Sequence, residues 1–363
     1  MSNLLAVSNG TGVSFDDVLL TPSYSESESR LSVSLKTKVA HIDMLVPVIS
    51  SPMDTVTESS MAIDIAMLGG FGIVHRFMSQ KNQLFELRNV ARHNRNVAKK
   101  GWAPVVPAVG VGKDELDRLQ YLISGMPDLI DAIAIDIANG HSILAKQMVQ
   151  SVLDMTGGDI PIIAGNVATY EGFCFLADLG VSAVRVGIGG GSICKTRVMT
   201  GFGLPTLTSV ALAYKAKVEN AAYSDVAIIA DGGIRYPSDL VKSLAAGADA
   251  VICGKVLAGT NSSPGGVVSV GGKSMKLYRG MASSEAQVAR GTGKKPGTCA
   301  EGVSTHIPHV GSLDGIIEEF SGGLRSGMTY VGASNINDLR SGASFMIVSG
   351  ASQEESHAFG TKE

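Results

Sequence analysis

The chain has 363 residues, 45% hydrophobic and 17% charged, with a formal net charge of −3; this suits a large buried core and excludes a disordered chain. No basic stripe with interleaved aromatics is present, so nucleic acid is not an expected partner. No apolar run reaches membrane-span length and residues 1–12 lack the pattern of a secretory signal, so no membrane partner and a cytoplasmic location are expected.

Short apolar runs bounded by Gly, Pro or polar clusters mark buried parallel strands. Eight occur, at about 46–50, 72–75, 105–109, 132–136, 161–165, 183–186, 226–230 and 248–253. Most are separated by stretches with apolar residues every three or four positions, and 61–68 and 239–246 read as helices. Several gaps are about twenty to thirty residues, the size of one βα unit. Eight such units predict an α/β fold, a single closed (β/α)₈ (TIM) barrel domain over 1–363 with no inserted regulatory domain. An open doubly wound sheet would carry its ligand fingerprint at the first βα turn, whereas here the glycine-rich segments come late. Two segments exceed the repeat, 187–225 after strand six and 258–312 after strand eight. Within the second, 264–312 is expected to be a hairpin and flap. The hairpin runs from Val267 to Val270, turns at Gly271-Gly272 and returns from Lys273 to Tyr278. Residues 1–12 and 352–363 are expected to be mobile tails.

Barrel active sites are built from loops at the carboxyl ends of the strands. After strand six comes Gly187-Ile188-Gly189-Gly190-Gly191-Ser192-Ile193-Cys194-Lys195-Thr196-Arg197. Such a loop turns N–H groups toward an anion or carbonyls toward a cation. Ser192 adds a donor for phosphate, and an exposed Cys194 is a nucleophile. The same residues also suit a small buried Cys194 beside glycines that only make a turn. Cys174, Cys194, Cys253 and Cys299 form no CxxC pair and no disulfide framework, as expected of reduced cytosolic thiols. Asp231-Gly232-Gly233 follows strand seven and Gly254-Lys255 follows strand eight, the usual phosphate corner of this fold. There Gly233 and Gly254 let backbone close on phosphate oxygens, Lys255 adds charge, and Asp231 accepts from a ribose hydroxyl pair. A turn aspartate and a solvated lysine are the plainer alternatives. Asp54, Asp136, Asn139 and Asn166 complete a polar rim, and each also suits a capping role. His306 and His309 lack an evident third ligand, so no zinc site is expected.

These segments resemble the family of inosine-monophosphate dehydrogenase and GMP reductase. The resemblance is carried in order by 49–58 (Ile-Ser-Ser-Pro-Met-Asp-Thr-Val-Thr-Glu), 187–197, 230–233, 257–260, Tyr278-Arg279-Gly280-Met281 and 321–326, within a match of about 14–349. It implies a purine nucleoside monophosphate across the barrel mouth, with Cys194 attacking C2 of the purine. Ser192, Gly233, Gly254, Lys255 and Tyr278 would hold the phosphate and Asp231 the ribose. Met53 and Met281 would flank the base, with Ser51 and Gly280 also at the nucleotide. The nicotinamide cofactor would lie near Asp136, Ala138, Asn139, Asn166 and Gly187. Carbonyls of Gly189, Gly191 and Cys194 match the family's potassium site, and the family's homotetramer is the expected assembly.

The two branches share a covalent intermediate and differ in direction. The dehydrogenase oxidises IMP with NAD and hydrolyses the adduct to XMP; the reductase expels ammonia from GMP and takes hydride from NADPH. Three features resemble the reductase. No regulatory domain separates strands two and three. The flap between Met281 and Glu301 is short and lacks the Arg-Tyr pair that activates water in the dehydrogenase: Arg290 precedes Gly291, and no tyrosine lies between Tyr278 and Tyr330. Segments 135–140 and 329–333 are reductase-like. Thr196 with Glu301 would then protonate the leaving amine; a surface charge is the plainer reading of Glu301. In the other direction, 50–58 and 74–79 are nearer the dehydrogenase, Gly190 stands where the family usually has proline, Lys195 precedes Thr196, and Lys255 replaces a small residue. The expectation is an NADPH-dependent GMP reductase. A minimal IMP dehydrogenase using NAD is the alternative, and a nucleotide-binding protein without turnover is a third reading, which intact Cys194, Thr196 and Glu301 oppose.

Overall fold

Valine, isoleucine and alanine crowd the short runs, and alternate residues of an extended chain face opposite sides. The computed structural model describes residues 4–95, 102–289 and 299–356. Eight of its strands form one parallel sheet: β1 (Val48–Ser50), β2 (Phe71–Gly72), β3 (Ala108–Val109), β4 (Ile133–Asp136), β5 (Ile162–Val167), β6 (Ala183–Val186), β7 (Ala227–Asp231) and β8 (Ala250–Cys253). Their spatial order is β2-β1-β8-β7-β6-β5-β4-β3. Val74 closes the ring: its N–H donates to Val106 and its carbonyl accepts from Ala108, both at 2.9 Å. Each strand overlaps an expected run, β2 only at Gly72. β3 is shorter than 105–109 because Pro107 has no N–H to donate, so the ladder starts at Ala108.

Helices alternate with the strands: α1 (Ser59–Met67), α2 (Gln80–Asn94), α3 (Lys113–Gly125), α4 (Ile143–Thr156), α5 (Tyr170–Asp178), α6 (Thr206–Glu219), α7 (Pro237–Ala246) and α8 (Asp314–Thr329). Ser79, Ser142 and Thr169 cap α2, α4 and α5, accepting from the N–H groups of Asn82, Ala145 and Gly172. Among the described residues, α2 is the only helix between β2 and β3.

The strand alternation sorts the core into two layers. Ile49, Ala134, Ile163, Ala183, Ile229 and Ile252 fill the barrel interior. Ile135, Ala164, Val184, Ile228 and Val251 pack outward with the helices. One pleat nearer the mouth, the inward positions turn polar: Asp136 follows Ala134, Arg185 follows Ala183, and Asp231 follows Ile229. Gly165 is the inward residue after Ile163, and a Cβ there would meet the Arg185 Cβ at 2.7 Å. It would also meet the Arg185 carbonyl oxygen at 2.6 Å, so the glycine lets the backbone of β6 approach β5 here.

The hairpin after β8 forms as expected. β9 (Val268–Val270) pairs with β10 (Lys273–Arg279), and Val270 faces Lys273 across Gly271-Gly272. Both glycines have positive φ, 59° and 77°, as a tight hairpin turn requires. A third strand, β11 (Ser304–Pro308), was not expected; it pairs with β10 and carries 299–303 back to the barrel mouth. Within or beside the expected tails, Leu4–Ser8 is helical with Leu4 fully buried, and Gly350–Glu355 is a helix. Burial of Leu4 anchors the first, and Ser349 caps the second through the N–H of Ser352. Residues 357–363 lie outside the described residues. None of the four cysteines is in a disulfide. No helix among the described residues is long and apolar enough to cross a membrane.

Candidate active site

The loop after β6 leaves the sheet at Gly187, which only a glycine can occupy: φ is +143° and a Cβ would collide with the Asp231 carbonyl. It then turns through Gly189, Gly190 and Gly191 to Cys194, whose side chain is exposed. The buried-thiol alternative is thereby excluded. The loop is stitched to the segment before β11: Lys195 N–H donates to the Glu301 carbonyl at 2.6 Å and Val303 N–H to that of Ile193 at 3.1 Å. This pairing brings two distant side chains together. Cys194 Sγ lies 3.1 Å from Thr196 Oγ1, and Thr196 Oγ1 donates to Glu301 Oε2 at 2.7 Å. Thiol, hydroxyl and carboxylate form one continuous hydrogen-bonded chain along which a proton can pass.

Beside this loop a cavity of about 640 Å³ opens at the carboxyl ends of β6, β7 and β8. Ser51, Met53, Ser192, Asp231, Gly233 and Gly254 line it, as do Lys255 and Tyr278. Eight of the expected nucleotide-binding residues therefore share one chamber. Ser192 Oγ lies 3.5 Å from the Tyr278 hydroxyl. Burial pushes the Tyr278 pKa up to about 12, so its hydroxyl keeps its proton and remains a donor at neutral pH. Cys194, Gly280 and Met281 lie beyond the cavity walls. Met281 reaches the residue next to Met53: the Asp54 N–H donates to its sulfur at 3.4 Å. Arg279 holds both sides of this slot, donating to Asp54 Oδ2 through Nε at 2.9 Å.

The residues expected at the cofactor fall into two groups. Ala138 and Asn139 are exposed on the loop after β4. Asp136 and Asn166 are engaged within the protein. Asn166 Nδ2 donates to the Gly187 carbonyl at 2.7 Å and to Asp231 Oδ2 at 2.9 Å. Asp136 is an ion: burial alone would raise its pKa, but Arg185 and Arg76 outweigh that and hold it below the usual carboxylate range.

Two functional features were missed in the sequence. Arg185 was passed over inside a strand otherwise made of Ala and Val, although an arginine in such a run is itself the signal. The N-terminal segment also walls the cavity: Phe15 and Asp16 line it, held by Lys242 donating to the Phe15 carbonyl at 2.8 Å and by Arg235 paired with Asp16 at 2.6 Å.

An exposed thiol on the loop after the sixth strand, beside a chamber at the seventh and eighth, has the layout of a barrel enzyme's site. The family model for the IMP dehydrogenase / GMP reductase domain matches residues 12–359, and the chain belongs to that family. It is 35% identical to an inosine-5′-monophosphate dehydrogenase of Cryptosporidium parvum over 392 residues, spanning 96% of this chain and 95% of that protein. It is 34% identical to one of Borreliella burgdorferi, spanning 95% and 96%. Its fold is similar to a GMP reductase of Trypanosoma brucei in complex with guanosine 5′-monophosphate, with a TM-score of 0.89, 27% identity, and coverage of 99% of this chain and 100% of that one.

Proposed function

We propose that the chain is a single-domain, cytoplasmic GMP reductase that converts GMP to IMP and ammonia with NADPH. The observation that carries this reading is the Cys194–Thr196–Glu301 chain, at 3.1 and 2.7 Å. Expelling an amine needs a proton delivered to nitrogen, and this chain of groups both collects and returns one. The Cys194 thiol proton passes through Thr196 to Glu301, and the thiolate adds to C2. Glu301 then returns the proton through Thr196 to the amine, which leaves as ammonia while the S–C2 bond is retained. NADPH, when bound, supplies hydride to C2, after which Sγ departs as thiolate and IMP is released.

The other residues bind and orient. Ser192, Tyr278, Lys255 and the backbone at Gly233 and Gly254 grip the phosphate. Asp231 receives the ribose hydroxyls at Oδ1, because its protein donors converge on Oδ2. Met53 and Met281 sandwich the base, with Ser51 and Gly280 behind them. Asp136, Ala138, Asn139, Asn166 and Gly187 would form the cofactor side; the exposed Ala138 and Asn139 leave room there. Carbonyls of Gly189, Gly191 and Cys194 would hold a potassium ion. Gly191 already accepts the Cys194 N–H at 3.0 Å, which leaves its second lone pair available. A homotetramer is the proposed assembly.

A second reading, a minimal IMP dehydrogenase using NAD, is favoured by the names of the sequence relatives. Against it, the flap carries no tyrosine between Tyr278 and Tyr330. One assay separates them. Loss of NADPH absorbance with GMP, together with release of ammonia, is the expected result. Reduction of NAD with IMP alone would reverse the assignment.

A further inference from the structure

Arg185 sits within the barrel and touches both sides of the mouth. Its side chain is 6% exposed. Nη1 donates to Asp136 Oδ1 at 2.7 Å, at the end of β4. Nε and Nη2 donate to Asp231 Oδ2 at 3.1 and 2.8 Å, at the end of β7. One planar cation therefore spans two carboxylates on strands that are three places apart in the ring. Asn166 adds a further donor to Asp231. A buried cation with two carboxylates is costly to assemble and weak as a stabiliser, so its placement calls for a use beyond stability.

The two carboxylates look onto different ground. Asp231 lines the nucleotide cavity, while Asp136 heads the loop that exposes Ala138 and Asn139. Both carboxylates are tied to the one guanidinium, Asp136 through Oδ1 and Asp231 through Oδ2, while Arg76 flanks Asp136 Oδ2 at 3.5 Å; a shift of either carboxylate therefore pulls on the planar fork and on the other. We propose that Arg185 is a positioning residue that couples the nucleotide site to the cofactor site, so that each ligand binds more tightly when the other is present. This rests on the GMP reductase reading above for the identity of the two ligands. The first ligand fixes the plane of one carboxylate and, through Arg185, that of the other. The second ligand then meets an ordered acceptor and loses less entropy on binding.

The test uses the full chain with GMP and NADP, a pair that cannot turn over. Calorimetric titration of GMP, alone and at saturating NADP, gives a ratio of dissociation constants. Wild type is expected to show synergy of about fivefold or more. Arg185→Lys keeps the charge but reaches one carboxylate, and Asp136→Asn leaves the Asp231 arm intact. Each should bring the ratio to within about twofold of unity. A merely structural role would weaken both constants and leave their ratio unchanged, so thermal unfolding is followed in parallel. Synergy that persists in folded Arg185→Lys, or wild type binding both ligands without synergy, overturns the coupling. Failure of wild type to bind GMP overturns the functional reading and the coupling with it.

Discussion

The two halves of the mouth are built on opposite principles. At the ends of β4, β6 and β7, Asp136, Arg185 and Asp231 are linked by buried, charge-assisted bonds of 2.7 to 3.1 Å. On the loop beyond β6, Cys194 is exposed, and its alignment with Glu301 depends on that loop pairing with the segment before β11. On the proposed function, the ribose and cofactor side is set by strand ends, whereas the chemistry is assembled by two surface segments meeting. Substitutions in the first region should therefore act on binding and stability, and those in the second on rate.

The largest effect should come from the exposed half. Cys194→Ala is expected to lower turnover by at least about a thousandfold while GMP affinity stays within a few-fold, since no adduct can form. Steady-state rates and calorimetry together check this, and full turnover in that variant would end the covalent scheme. Glu301→Gln should slow ammonia release by about 10²–10⁴, seen in a single turnover as delayed amine loss with near-normal binding. Weakened binding of similar size would mean that the flap belongs to the grip after all.

The strand-borne half should answer differently. Arg185→Met leaves two carboxylates without their cation and should cost about 3–5 kcal/mol in denaturant unfolding. The pH dependence sharpens the point. The folded pKa of Asp136 is depressed, chiefly by Arg185 and then Arg76 working against burial. Its contribution to stability is thus present above the unfolded value of about 3.9 and is lost as pH falls through the folded one. Asp136→Asn should flatten that acid limb; an unchanged limb would show that other carboxylates govern it. The smallest effect is expected from Tyr278→Phe, about 1 kcal/mol or roughly fivefold in GMP affinity. With its pKa raised to about 12 by burial, the Tyr278 contribution should be level from about pH 6 to 9.

Most of this frame was legible in the residues. Eight apolar runs predicted eight strands, because a strand buried on both faces has little choice but Val, Ile and Ala. Gly271-Gly272 announced a hairpin because both positions need positive φ. β11 escaped notice because Ser-Thr-His-Ile-Pro has neither strong alternation nor an apolar run, and its pairing with β10 is what makes it a strand. The polar rim was named residue by residue, but its wiring was not. Nothing local in Asp136 or Asp231 points to a shared cation, which stands on a strand between theirs.

The ring also has a seam. Two hydrogen bonds through Val74 join β2 to β3, whereas β6 and β7 are matched over four residue pairs, from Ala183 with Ala227 to Val186 with Ala230. In the order of strands these two junctions are diametrically opposed. Thermal breathing of the cylinder should therefore begin on the side remote from Cys194, with the amides of Val74 and Ala108 exchanging deuterium earlier than those along β6 and β7. The enzyme would then flex like a cuff that is open at the back and clasped at the front.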